Sequence, residues 1–269
     1  MITFAPAKVN LGLHVLSKRP DGYHEIETGI MEIPFYDILE ITKSDTFEFI
    51  QSGINVDAVV EDNLCTRAFK LLQTHYDISN VRIHLRKQIP MGAGLGGGSS
   101  DAVAVLKSMI KLFELEATKD ELINLSTQLG SDCPFFVDAG VQLASGRGEI
   151  LKNISLNISP CFLVLINPGI HISTKEAYSS ISCEKPLMRV EDILSQPMTT
   201  WRNRLVNDFE KSVLEEHPLI EDIKKELYEL GAVYASMSGS GSTVFAFFKE
   251  QVELTGSLKE NLIYASQLH

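Results

Sequence analysis

The stretch PMGAGLGGGSSDA, residues 90–102, has glycine at 92, 94, 96, 97 and 98, just ahead of a run with helical spacing. Glycine tolerates positive φ and lets a ligand approach the backbone amides without meeting a Cβ. A glycine run ending at a helix N-terminus therefore offers several N–H groups to one anion, and the helix dipole adds about half a positive charge there. The chemistry is phosphate binding. A Walker A loop is excluded, because no lysine stands between Gly98 and Ser99. Gly92, Gly94 and Gly97 match the dinucleotide pattern, but a second helical segment from 119 follows where that motif needs a strand with an acidic end. A flexible surface loop is the remaining alternative; Pro90 and the helix that frame the run favour phosphate binding over it. Ser99 or Ser100 is expected to cap DAVAVLKSMIKLF, anchored by Val103, Leu106, Ile110 and Phe113. Asp101 suits a first helical turn yet would repel phosphates, so three readings stay open: it points aside, acts through Mg²⁺, or merely starts the helix.

Phosphoryl transfer to an alcohol also needs a group near the hydroxyl proton and cations to spread charge. Asp132, in QLGSDCPFFVDAG, and Lys8, in APAKVNLGLHVL, are the candidates. Each has an ordinary alternative: a helix N-cap before Pro134, and an edge-strand lysine. The turn RPDGYHEIET presents Tyr23 and His24, which could stack on a base and read its edge or simply pack a hairpin end. SMSGSGSTVF, residues 236–245, reads either as a hairpin turn or as a second wall around phosphate.

These residues need elements to hold them. In APAKVNLGLHVL the odd positions from Ala7 to Val15 are apolar, the mark of a half-buried strand whose polar face carries Lys8 and Asn10 together. Further strands are expected at 29–42, 46–51, 81–86 and 141–146, and helices at 62–75, 99–113 and 119–129. The last opens on a capping box, Thr118 with Glu121. Beyond LKNISLNISP come a strand at 161–166, helices near 174–182 (boxed by Ser173 and Glu176), 199–214 and 218–229, strands at 232–237 and 243–248, and a last helix. A domain boundary is expected near 150–160, in an α/β chain with antiparallel pairing.

The 269 residues are 44% hydrophobic, enough for a proper core. Four scattered cysteines form no CxxC pair, which argues against a zinc ribbon or disulfide framework. The net charge of -11 argues against nucleic-acid or anionic-membrane partners, so any phosphate must be met by a local device. Apolar runs such as CFLVLI are far shorter than the ~20 residues of a membrane helix, and no leader pattern opens the chain, so a cytoplasmic protein is expected.

Together, PAKVNLGLHV, RPDGYHEIET, PMGAGLGGGSSDA, GSDCPFFV and MSGSGSTVF resemble the GHMP kinase superfamily, in order and spread from residue 6 to 245. The resemblance implies a two-domain α/β fold. Residues 1–153 would form an ATP-binding half like the second domain of ribosomal protein S5, residues 154–269 a ferredoxin-like half, with the site in the cleft between. P-A-K-x-N-L and D-G-Y-H are similar to the branch that uses ATP, with Mg²⁺, to phosphorylate the 2-hydroxyl of a cytidine diphosphate-linked methylerythritol; no protein partner is implied. By the resemblance Asp132 is the catalytic aspartate and Lys8 its partner. Asn10 contacts substrate, Tyr23 and His24 hold cytosine, and Tyr178 supplies a second aromatic ring. Pro90, Met91, Gly92, Ala93, Gly94, Leu95, Gly96, Gly97, Gly98, Ser99 and Ser100 form the triphosphate loop, and Asn63 and Lys87 lie beside the nucleotide. Cys133, where similar sequences usually carry an aliphatic residue, is a departure at a place where a small apolar side chain substitutes readily. A homoserine, mevalonate or phosphomevalonate kinase, or a non-catalytic nucleotide-binding module, is the alternative; D-G-Y-H and Lys8 weigh against the first, and Lys8 with Asp132 against the second.

Overall fold

Period-2 alternation builds the first strand, β1 (Ile2–Lys18), and a tight turn returns the chain as β2 (His24–Lys43). In that turn Arg19 N–H donates to the Tyr23 carbonyl at 2.8 Å, and Gly22 takes φ +84°. The computed structural model of the chain describes residues 1–55, 59–156, 158, 161–179, 181, 183 and 186–268. The order continues β3 (Glu48–Gly53), α1 (Leu64–His75), β4 (Val81–Lys87), α2 (Gly97–Leu112), α3 (Lys119–Leu129), α4 (Phe135–Asp138), β5 (Val141–Gly146) and β6 (Ile150–Asn153). Then come β7 (Cys161–Ile166), α5 (Thr174–Ser179), α6 (Val190–Leu194), α7 (Glu210–Glu216), α8 (Pro218–Glu229), β8 (Tyr234–Met237), β9 (Val244–Phe248), α9 (Gly256–Glu260) and β10 (Leu262–Leu268).

The chain forms two compact units made of interleaved segments. One comprises Met1–Lys8, Glu32–Met91 and Gly96–Ala139, the other Val9–Met31, Gly92–Leu95 and Gly140–His269. In the first unit β3 pairs parallel with β4, and β4 antiparallel with the second half of β2, Ile38 opposite Arg86. Helix α1 buries Cys65, Ala68, Phe69 and Leu72 and packs on α2, which also meets α3 and α4. Helix α3 starts on the expected box: Glu121 N–H donates to Thr118 Oγ1, and the Glu121 carboxylate accepts from Thr118 N–H.

In the second unit the first half of β2 pairs with β5, which turns back as β6. A separate antiparallel sheet has the order β10-β7-β9-β8, so its four strands lie fourth, first, third, second, the split βαβ order of a ferredoxin-like half. Its core gathers Val164, Ile166, Val244 and Ala246 from the sheet with Ile220, Ile223 and Leu227 of α8.

Several elements differ from expectation for tertiary reasons. β1 is buried on both faces, not half-buried: Lys8, Asn10 and His14 are as enclosed as their apolar neighbours. α2 is capped by Gly96 in the left-handed region, while Ser99 and Ser100 lie inside its first turn. The helix expected over 199–214 forms only from Glu210, because Val206 and Asp208 bond across to Leu13 of β1. The last helix stops after Glu260, and β10 pairs with β7.

Candidate active site

In the first unit the candidate residues Lys8 and Asp132 gather at the start of α2. Ser100 N–H makes the first intrahelical bond, to the Gly96 carbonyl at 2.9 Å, so the N–H groups of Gly97, Gly98 and Ser99 have no acceptor within the helix. The stem of Lys8 crosses Gly96 so closely that a Cβ there would meet its Cγ at 3.0 Å and its Cε at 3.1 Å. Beyond that stem the Lys8 ammonium lies 3.4 Å from Asp132, whose side chain is 45% exposed. Asp132 does not serve as the cap of α4; that position is Pro134, with no side-chain bond. Its neighbour Cys133 is buried, and burial pushes the thiol up to about 11 against a Ser99 hydrogen bond. The 130–133 turn is thereby held against the first turn of α2. An ammonium, a half-open carboxylate and a helix N-terminus thus meet at one place.

The glycines have a different reason than ligand access alone. Added side chains at Gly96 and Gly97 would strike Lys8, Phe136 and Ile89, whereas Gly98 would meet nothing closer than 3.5 Å. Close packing under the loop accounts for the run better than open space does.

Lys87 and Asn63 have structural partners of their own. Lys87 is 1% exposed; its ammonium bonds Asp37 and, at 2.8 Å, Asp101. Asp37 also accepts from Ile89 N–H at 2.9 Å. Asp101 therefore points aside into the core, the first of its three readings. Asn63 caps α1, its Oδ1 accepting from Cys65 N–H at 2.9 Å. The sequence held a signal for the buried group: Lys87 continues the phase of Val81, Ile83 and Leu85, and Asp37 that of Ile33, Phe35, Leu39 and Ile41, so both had to enter the core.

In the second unit the loop after β8 walls the first half of the glycine stretch. Ser238 donates to the Gly94 carbonyl at 2.8 Å and accepts from the Asn10 N–H at 3.2 Å. Gly94 comes so near the Ser238 carbonyl that a Cβ would lie 1.9 Å from it. Asn207 holds the same loop, its Nδ2 donating to the carbonyls of Met237 and Gly239, both at 2.8 Å. Ser238 and Thr243 are fully buried, so SGSGS is a wall and not an exposed hairpin turn. Asn207, missed in the sequence, had no local signal. Asn10 directs its amide to Thr28 Oγ1 at 3.2 Å.

His24 stacks on Tyr178, centroids 4.7 Å apart and planes at 16°, and Tyr178 stands edge-on to Phe209. Tyr23 is 56% exposed, with the Arg147 guanidinium 4.8 Å from its ring centroid. Burial, with Lys18 nearby, holds the His24 imidazole below its ordinary value, favouring a neutral ring that both donates and accepts. For a metal, the one set of His, Cys, Asp and Glu groups among the described residues whose ligand atoms converge is Glu176, Glu216 and His217. None of the three belongs to the glycine stretch or to the Lys8–Asp132 pair.

Two family models match: the GHMP kinases N terminal domain over residues 63–140, and GHMP kinases C terminal over residues 190–255. A curated relative from Azobacteroides pseudotrichonymphae genomovar. CFP2, named 4-diphosphocytidyl-2-C-methyl-D-erythritol kinase, is 48% identical over 96% of this chain and 97% of its own. The chain belongs to the 4-diphosphocytidyl-2-C-methyl-D-erythritol kinases. A crystal structure of a 4-(cytidine 5'-diphospho)-2C-methyl-D-erythritol kinase is similar at TM-score 0.80 and 35% identity, covering 91% of this chain and 89% of that one. The mevalonate kinase of Methanococcus jannaschii shares the fold at TM-score 0.69 with 15% identity, covering 92% of this chain and 90% of its own. The two-domain GHMP kinase fold is therefore common to both, and what singles out the 4-diphosphocytidyl-2-C-methyl-D-erythritol kinases is carried by identity along the chain.

Proposed function

We propose that this chain phosphorylates the 2-hydroxyl of 4-diphosphocytidyl-2-C-methyl-D-erythritol, giving the 2-phosphate and ADP, in the non-mevalonate route to isoprenoid precursors. As a GHMP kinase it is an ATP-dependent small-molecule kinase. The observation that carries the reading is the Lys8–Asp132 pair at the N-terminal end of α2. ATP supplies the phosphoryl group when bound, and residues 90–100 suit its triphosphate: amides without intrahelical acceptors, a helix dipole and a lysine stem across Gly96. Mg²⁺ is its natural companion cation; no side chain is assigned to it.

Asp132 holds the acceptor hydroxyl and takes its proton or fixes its direction, while Lys8 orients that carboxylate; a loose phosphoryl-transfer transition state accommodates either role. Asn10 contacts the acceptor. Tyr23 stacks on cytosine and the neutral His24 ring reads its edge, with Tyr178 packed behind His24. Residues 1–153 carry the triphosphate loop together with these acceptor contacts, and 154–269 complete the enzyme. Among the described residues no helix is long and apolar enough to cross a membrane, and we place the enzyme in the cytoplasm.

The test is ADP release from Mg·ATP with an acceptor panel: the cytidyl compound, the same polyol phosphate without cytidyl, homoserine and mevalonate. Turnover of the cytidyl compound alone is expected. Turnover of another acceptor would overturn the cytosine reading of Tyr23 and His24, and none with any acceptor would favour a binding module.

A further inference from the structure

Directly beneath the first residue of α2 lies a buried three-membered ionic group. A Cβ on Gly97 would sit 2.8 Å from the Lys87 ammonium, which two carboxylates share, Asp37 from β2 and Asp101 from α2. All three residues are at most 2% exposed, and Asp101 Oδ1 has no hydrogen-bond partner. If both acids are ionised, the group carries one uncompensated negative charge in the buried interior. That charge would lie under the amides that are to receive a triphosphate.

We infer that Asp101 is a positioning residue for the phosphate loop that takes up a proton when nucleotide binds, so that Lys87 and Asp37 remain as a neutral pair beneath the phosphates. The inference rests on the reading of residues 90–100 as the triphosphate loop. Asp37 is the better place for the negative charge, because it accepts from the Ile89 N–H as well as from Lys87, whereas Asp101 has Lys87 alone on one oxygen and nothing on the other. The groups whose fields reach Asp101 are Lys87 of β4, Asp37 of β2 and Cys65 of α1. Glu32 and Asp138 act on Lys107, which lies about two turns further along α2. Burial pushes the Cys65 thiol well up, keeping it neutral. Burial above all, with Asp37 adding to it, pushes the Asp101 carboxyl up to about 7. Burial opposes the charge on Lys87, yet the two carboxylates hold its ammonium above the ordinary lysine value. Lys87 therefore stays charged while Asp101 titrates, and an incoming polyanion raises the Asp101 value further.

The experiment is titration calorimetry of the full chain with Mg²⁺ and a non-hydrolysable ATP analogue, in buffers of different ionisation enthalpy, on wild type and Asp101→Asn. Near pH 7, wild type is expected to take up about 0.5 proton per nucleotide more than Asp101→Asn, since a group titrating there is half protonated beforehand. Its affinity should fall as pH rises through that region, and the affinity of the variant should not. Equal proton uptake in the two proteins overturns the inference. Binding without uptake removes this inference alone, whereas absence of binding removes the triphosphate reading with it. Should Asp101→Asn fail to fold, infrared difference spectra of wild type decide: a protonated-carboxyl band that grows on nucleotide binding supports the proposal, and its absence overturns it.

Discussion

A lysine 4% exposed and an aspartate side chain 45% exposed make an unequal pair. Lys8 is fixed by the strand behind it and by Gly96 beneath its stem, so the geometry of the pair is set by the lysine and offered to solvent by the acid. Removing either partner should disable the same step. Asp132→Asn and Lys8→Ala are each expected to lower kcat by ~10²-fold or more, and the double variant to be little worse than the poorer single one, because groups acting as a unit are not additive. Steady-state kinetics of the three variants checks this; fully multiplicative losses would mean separate roles. A second residue-scale expectation concerns His24, whose ring is held below 6.5 by burial against its neighbours, then by Lys18. With a lowered value, the neutral ring's contribution to stability is complete above about 6.5 and is lost as pH falls. Tyr178→Ala opens the ring to water, so an NMR titration should find His24 returned toward 6.5. At this scale the sequence offers the candidate residues but not what they touch. Asp101 kept three readings because nothing local places Lys87 beside it.

The caps of the helices separate structure from function. Asn63 stands where a nucleotide contact was expected and caps α1. Asp caps as well as Asn, and Ala does not. Asn63→Ala should therefore cost about 1 kcal/mol in chemical denaturation, while Asn63→Asp should keep the stability. A raised KM for ATP in the stable Asn63→Asp would then report a nucleotide contact that the cap alone does not require. Element by element, the segments with local signals were legible: the box at Thr118, the apolar periodicity of α2 and α8, the alternation of β4 and the apolar run of β7. The ones that escaped depend on partners far along the chain. Residues 206–208 give up a helix to bond with Leu13, and β10 exists as an edge strand because β7 offers it a ladder. The glycine run suggests a phosphate site from sequence, but part of its composition answers to Ser238 and Lys8 instead.

At the scale of the whole molecule, five motifs could be recognised because each is local. The interleaving of the two units could not, because it depends on β1 and β2 each running through both, a matter of tertiary pairing. Charge is the property that belongs to the entire chain. With a net charge of -11, the molecule repels a polyanion at long range, and on the proposed reading attraction is confined to the start of α2. Long-range and local fields are distinguished by salt, since the Debye length falls from about 30 Å at 0.01 M to about 10 Å at 0.1 M. Screening over that range removes the repulsion of the whole chain but leaves hydrogen bonds to helix amides nearly intact. Raising ionic strength from about 0.01 to 0.1 M should therefore leave the KM for ATP within about twofold, or lower it. Steady-state kinetics at fixed free Mg²⁺ makes the comparison. A tenfold rise would mean that ATP is drawn in by an extended basic field, and the local device at residues 90–100 would no longer account for binding.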